Sequence, residues 1–183
     1  MKRIFRQILA TWGLLAVVAA VTLLLDQVSK LWVVFGLDLV NRIEMDVWPP
    51  YLVFRMAWND GVNFGLLGGQ AAIMRWVLIA LALAIATWVV IWVRREASGP
   101  WAQAAAGLLV GGAVGNVIDR VAYGAVADFL NMSCCGIDNP FAFNVADVAI
   151  FAGAMGLVAV SGRGTGSDKP KPRAKPKPGR KTP

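Results

Sequence analysis

The chain has 183 residues, of which 57% are hydrophobic and only 16% charged, with a formal net charge of +7. An ordinary soluble domain is roughly half apolar and about a quarter charged, so this composition excludes one and points to a membrane as solvent. The positive balance does not indicate nucleic acid: the richest basic block, Lys169 to Lys181, alternates with prolines and has no aromatic residue on which a base could stack.

A helix needs about 20 predominantly apolar residues to cross ~30 Å of hydrocarbon. Ile8 to Leu25 is uncharged and follows Lys2, Arg3 and Arg6. The run is long for a removable leader, and Asp26-Gln27-Val28-Ser29-Lys30 follows it without a small-x-small cleavage site, so it reads as a first anchor over residues 8–30. Gly36 to Gly69 comes next as an exported segment. The alternation within Val47 to Trp58, with Pro49 and Pro50 at a turn, predicts the strands of a small sheet with its Trp and Tyr residues at the membrane interface.

The second span is placed over residues 70–93, since Trp76 to Val93 is uncharged and Arg94 and Arg95 follow. A short loop with Gly99-Pro100 makes the third span, 102–122, its antiparallel neighbour. The fourth covers 141–161 and is interrupted by one acid, Asp147. Lys and Arg resist translocation, so Lys2, Arg3, Arg6, Arg94, Arg95 and the eight Lys or Arg from Arg163 to Lys181 put both termini in the cytoplasm. The predicted class is therefore a membrane all-α protein. It is a four-transmembrane-helix bundle with a small extracytoplasmic β-sheet cradle, occupying residues 1–162, followed by a disordered basic tail over 163–183 near anionic lipid.

Cys134 and Cys135 lie in the exported segment between the last two spans. Adjacent Cα atoms are about 3.8 Å apart, below the usual disulfide range, so no bond between them is expected. With no histidine in the chain, neither a metal site nor a cofactor is expected.

The informative stretch is Gly111-Gly112-Ala113-Val114-Gly115-Asn116-Val117-Ile118-Asp119-Arg120. Its glycines serve close helix packing, but its polar end needs another reason. Asn116, Asp119 and Arg120 fall on one helix face, and Asn144 and Asp147 repeat the spacing on the fourth span. A carboxylate in a membrane helix costs a few kcal/mol unless it is paired, protonated or functional. Asp128, just after the turn at Gly124, is the second candidate carboxylate. Two carboxylates can hydrolyse a peptide bond, the ionised one taking a proton from water and the protonated one polarising the carbonyl.

Five motifs in order then resemble the set of lipoprotein signal peptidase, the signal peptidase II family. They are Asp26-Gln-Val-Ser-Lys30, Asn59-Asp-Gly61-Val-Asn-Phe64, Gly111 to Arg120, Gly124-Ala-Val-Ala-Asp128-Phe129 and Phe143-Asn144-Val-Ala-Asp147. The resemblance covers about residues 8 to 160 and departs at Asn63, where the family more often has a small residue.

It implies a multi-pass aspartic endopeptidase of the bacterial inner membrane, with its active site near the outer, periplasmic face. The implied reaction removes the signal peptide of diacylglyceryl-modified prolipoproteins just before the lipidated cysteine. The implied dyad is Asp128 and Asp147, with Asn59, Gly61, Asn116, Arg120 and Asn144 against the substrate and Asp26, Lys30 and Asp119 in support. Implied partners are lipid-modified prolipoproteins, membrane lipids and peptide-like antibiotics of the globomycin type. Asp119 is expected to balance its neighbour Arg120, and Lys30, at i+4, to pair with Asp26. The rival reading is a small proton-coupled transporter using the same acids, which would need acids at several depths.

Overall fold

A computed structural model describes residues 2–61, 71–96, 99–136 and 139–164. Asn63, Phe64, Asp138, the start of the second predicted span and the tail beyond 164 lie outside the described residues. Helix α1 is Lys2–Lys30 and continues as a wider π-helical turn, Leu31–Gly36. After the short α2, Leu39–Arg42, come strands β1, Glu44–Trp48, and β2, Leu52–Asn59. Helices α3, Ala71–Arg95, and α4, Pro100–Tyr123, precede strand β3, Val126–Asn131, and the last helix, α5, is Val145–Gly164.

Among the described residues three helices are long and apolar enough to cross a membrane, over Gly13–Gly36, Ile73–Arg95 and Pro100–Tyr123, whereas Val145–Ser161 is a shorter apolar helix. The first runs six residues past the predicted end at Lys30, because Leu31–Gly36 stays helical and apolar. The fourth begins at Val145 instead of 141, because Phe143 exchanges backbone hydrogen bonds with Leu130 at 2.9 and 2.8 Å and so remains extended beside β3.

Helix α4 is the centre of the bundle: 61% of its apolar window is buried, against 17% for α1 and 22% for α3. Its glycines make this possible. A Cβ on Gly111 would lie 2.5 Å from the Ala19 carbonyl oxygen of α1, and one on Gly112 would lie 2.5 Å from the Ala146 carbonyl oxygen of α5. Backbone approaches on two faces of one helix leave room for hydrogen only, so α1 and α5 press directly against α4.

The predicted hairpin forms, with β1 and β2 antiparallel and Glu44 opposite Arg55, and Pro49-Pro50 occupies the turn with a cis bond. A third strand was not predicted. β3 adds antiparallel to β2, giving the order β1-β2-β3, with Ala57 opposite Asp128 and Asn59 opposite Val126. Side chains alternate along a strand. Ala127 and Phe129 therefore join Val33, Val34 and Leu39 in a buried apolar cluster, leaving Asp128 for the other face. Phe54 packs edge-on against Phe129, with ring centroids 5.8 Å apart.

One expectation is overturned in the segment after β3. Cys134 and Cys135 are bonded to each other, with their Cα atoms 3.8 Å apart. The usual Cα range describes cysteines brought together by the fold, whereas here the chain itself makes a tight turn, with Cys135 at φ 62° and Gly136 at φ 81°.

Candidate active site

The site lies where α1 and α4 end, α5 begins and the sheet closes over them. Gly124, at φ 87°, ends α4 by donating its N–H to the Arg120 carbonyl at 3.1 Å, which turns the chain into β3 and returns Asp128 toward the bundle. Asn144 and Asp147 form a reciprocal cap at the start of α5. Asn144 Oδ1 accepts from the Asp147 N–H at 2.9 Å, and Asp147 Oδ2 accepts from the Asn144 N–H at 3.2 Å.

Both carboxylates are fully engaged by N–H donors. Asp128 Oδ1 accepts from Asn144 Nδ2 at 2.6 Å and its Oδ2 from Asn59 Nδ2 at 3.0 Å. Asp147 Oδ1 accepts from Asn116 Nδ2 at 2.9 Å. Asn144 Nδ2 also reaches Asn116 Oδ1 at 3.2 Å, so three asparagines, from β2, α4 and the cap before α5, link the two acids. Gly61 donates its N–H to Asn59 Oδ1 at 3.0 Å, which turns that side chain's amide nitrogen toward Asp128. Asp128 titrates unusually high for an aspartate. Burial first, and then the neighbouring Asp147 charge, push it from 3.8 to about 6, against the opposing bonds from Asn59 and Asn144 and the Lys30 charge.

Beneath this layer is a buried ion cluster. Lys30 Nζ lies 2.8 Å from Asp26 Oδ2 and 2.7 Å from Asp119 Oδ2, and all three residues are 4% exposed or less. The Lys30–Asp26 pair is as the sequence predicts. Asp119 makes its ion pair with Lys30 of α1; its neighbour Arg120 feels its charge but forms no ion pair with it, because consecutive residues on a helix point about 100° apart. Removing the ammonium would leave two buried carboxylates uncompensated, at a cost of ~3–5 kcal/mol.

Arg120 instead donates Nη1 to the Asn116 carbonyl at 3.3 Å, and its Nε has no partner among the described residues. With Asn116 it forms the polar end of a cavity of about 250 Å³ between α3, α4 and α5, otherwise lined by apolar side chains such as Leu78, Leu81, Ile85 and Ile150.

All the site residues predicted from sequence thus fall in one region. Gln27 lies inside the Asp26-Gln-Val-Ser-Lys30 motif but has no role in the sequence-based expectation. Its Nε2 contacts Asp26 Oδ2 at 3.1 Å and Asp119 Oδ1 at 3.0 Å. A polar amide among apolar neighbours on α1 was the available signal. The apolar cavity had none, since its leucines look like any lipid-facing residues.

Long apolar helices around a buried polar site define a helical membrane protein with its working groups gathered at one end. Comparison with known proteins makes the class specific. The family model of signal peptidase (SPase) II matches residues 18–162. The chain is 47% identical over 146 residues to a lipoprotein signal peptidase of Methylorubrum extorquens (strain PA1), covering 80% of this chain and 82% of that protein. It is 39% identical over 149 residues to one of Rhodopseudomonas palustris (strain ATCC BAA-98 / CGA009), covering 80% and 88%. A solved bacterial membrane enzyme structure superposes with a TM-score of 0.70 at 27% identity, covering 87% of this chain and 93% of that one. A second reaches 0.68 at 28% identity, covering 80% and 91%. The chain belongs to the signal peptidase II family and is, by that membership, a peptidase.

Proposed function

We propose that this chain cleaves the signal peptide from diacylglyceryl-modified prolipoproteins, just before the lipidated cysteine, with Asp128 and Asp147 as an aspartic dyad. The observation that carries this reading is the linkage of the two carboxylates through Asn144, which donates its side-chain amide to one and its backbone N–H to the other. The relatives' printed name, lipoprotein signal peptidase, supports the substrate class.

In this mechanism Asp128 holds a proton in its buried position while Asp147 is ionised. Water attacks the scissile carbonyl carbon as Asp147 takes its proton, and Asp128 gives its own proton to the carbonyl oxygen. The tetrahedral intermediate collapses as its hydroxyl returns a proton to Asp128 and Asp147 protonates the leaving cysteine nitrogen. Asn59, Gly61 and Arg120 line the substrate's path, and the apolar cavity between α3, α4 and α5 receives the end of the signal helix. Substrate enters sideways from the bilayer, where peptide-like inhibitors of the globomycin type would compete.

In this reading residues 1–162 are the peptidase unit, α5 is the fourth crossing of a bacterial inner membrane, both termini are cytoplasmic and the sheet lies at the outer face. The transporter alternative lacks a path: Ala102 to Ile118 and Val148 to Ser161 contain no ionisable residue, so the acids stop at one end.

Incubating the purified full-length protein in lipid with a lipidated and an unlipidated prolipoprotein tests the proposal, with signal-peptide release followed by mass spectrometry. Release from the lipidated substrate alone, abolished by Asp128→Asn and by Asp147→Asn in folded protein, is expected. Turnover by either folded variant at the wild-type rate would remove that residue from the dyad. Equal cleavage of the unlipidated substrate would remove the lipid requirement.

A further inference from the structure

Asp26 and Asp119 each hold the backbone N–H of the residue immediately before one of the dyad aspartates. Asp26 Oδ1 accepts from the Ala146 N–H at 2.9 Å, and Asp119 Oδ2 accepts from the Ala127 N–H at 3.2 Å. The two acids come from different helices, α1 and α4, yet both are held by one ammonium, Lys30 Nζ. Gln27 Nε2 joins them a second time.

We propose that Lys30, with Asp26 and Asp119, is a positioning device: by tying the backbone at 127 to the backbone at 146, it sets the separation and mutual orientation of the two reacting carboxylates. This rests on the dyad assigned above. Asp128 lies on β3 and Asp147 on α5, and on one side the backbone bonds between Leu130 and Phe143 join the two segments. The ion cluster adds a second link from below, at residues 127 and 146. It also orients the side-chain layer. Asn116 Oδ1 accepts from both Lys30 Nζ, at 3.4 Å, and Asn144 Nδ2, which leaves Asn116 Nδ2 to face Asp147. The flipped amide would set its NH2 against two donors and its oxygen against a carboxylate. A buried ion cluster is weak support for stability, because well-packed apolar residues often serve as well. Apolar residues could not accept the Ala127 and Ala146 N–H groups.

The test uses the full-length protein in lipid, measuring cleavage of a lipidated prolipoprotein and, separately, amide hydrogen exchange. A small misplacement of reacting groups costs about 100-fold in rate, so Lys30→Met should lower kcat about 100-fold while KM stays within about threefold. Exchange should quicken about tenfold more in peptides covering 126–131 and 145–148 than in α3. A purely structural role predicts the same quickening throughout the bundle, and that result overturns the proposal. So does a folded Lys30→Met protein with kcat within about threefold of wild type.

If Lys30→Met does not fold, Asp119 carries the test. Asp119→Asn keeps an oxygen for the Ala127 N–H and should lose about tenfold in kcat, whereas Asp119→Ala should lose about 100-fold. Equal losses would overturn the proposal. Should wild-type protein fail to cleave the lipidated substrate while exchange responds at both positions, the assigned reaction falls and the positioning device stands.

Discussion

Asn144 Nδ2 lies 2.6 Å from Asp128 Oδ1, although its own backbone belongs to the cap that holds Asp147. One residue therefore couples a strand acid to a helix acid. Asn144→Ala should lower kcat by about 100-fold, since it removes the amide that holds Asp128 and orients Asn116, while the backbone N–H to Asp147 remains. The loss of stability should be modest, about 1 kcal/mol for a missing N-cap. Steady-state kinetics beside thermal melts would check this, and a large loss of melting temperature with unchanged kcat would contradict it.

Gly112→Ala should separate α5 from α4. The added methyl meets the Ala146 carbonyl oxygen at 2.5 Å and Ile150 Cγ1 at 2.9 Å, and a backbone carbonyl cannot turn aside as a flexible side chain would. Because Ala146 directly precedes Asp147, the displacement should reach the site. Overpacking of this kind costs ~1–3 kcal/mol. The expected outcome is a lower melting temperature together with reduced turnover. Gly13→Ala, which meets nothing within 4 Å, is the control and should change neither.

Much of this was legible in the sequence, and the gaps have physical reasons. The apolar blocks marked α1, α3 and α4, and the Pro49-Pro50 turn marked the hairpin. Polar residues in apolar surroundings marked the site, because burying Asn116, Asp119, Asn144 or Asp147 requires partners. β3 was hidden because Val126–Asn131 shows little alternation and is covered on both faces, with every residue except Leu130 buried. The Lys30–Asp119 pair was hidden because it joins residues 89 positions apart through helix packing, which no local spacing encodes. The cysteine bond depended on a left-handed turn at Cys135, a backbone state that non-glycine residues seldom adopt.

The proposed orientation can be read by labelling. In a Cys134→Ser, Cys135→Ser background, Trp48→Cys should react with an impermeant thiol reagent added to intact spheroplasts, because Trp48 is 69% exposed on the sheet. Glu96→Cys, just after Arg94 and Arg95, should react only after permeabilisation. Labelling in the opposite order would invert the topology and move the site to the cytoplasmic face.

The protonation of Asp128 gives a prediction in which activity and stability move together. Its folded value, about 6, is above the ordinary 3.8, so the folded protein binds this proton more tightly than the unfolded chain does. The associated stability is fully present below about pH 4 and is lost as the pH rises through about 6, where the folded protein must ionise a buried group. Asp128→Asn cannot ionise. Its melting temperature relative to wild type should therefore rise between about pH 4 and 7 and level off above. In the proposed mechanism the protonated form assists the carbonyl, so kcat/KM, which reports the free enzyme, should begin to fall above about pH 6. Burial is the leading cause of the shift, and bound substrate deepens it, so the corresponding limb of kcat should lie at higher pH than that of kcat/KM. Melting curves and initial rates across pH 4.5 to 8.5, roughly the range that brackets the folded value, would measure both. A pH-independent gap between the melting temperatures of Asp128→Asn and wild type would show that Asp128 does not carry the proton in the resting enzyme. The general-acid role would then pass to Asp147.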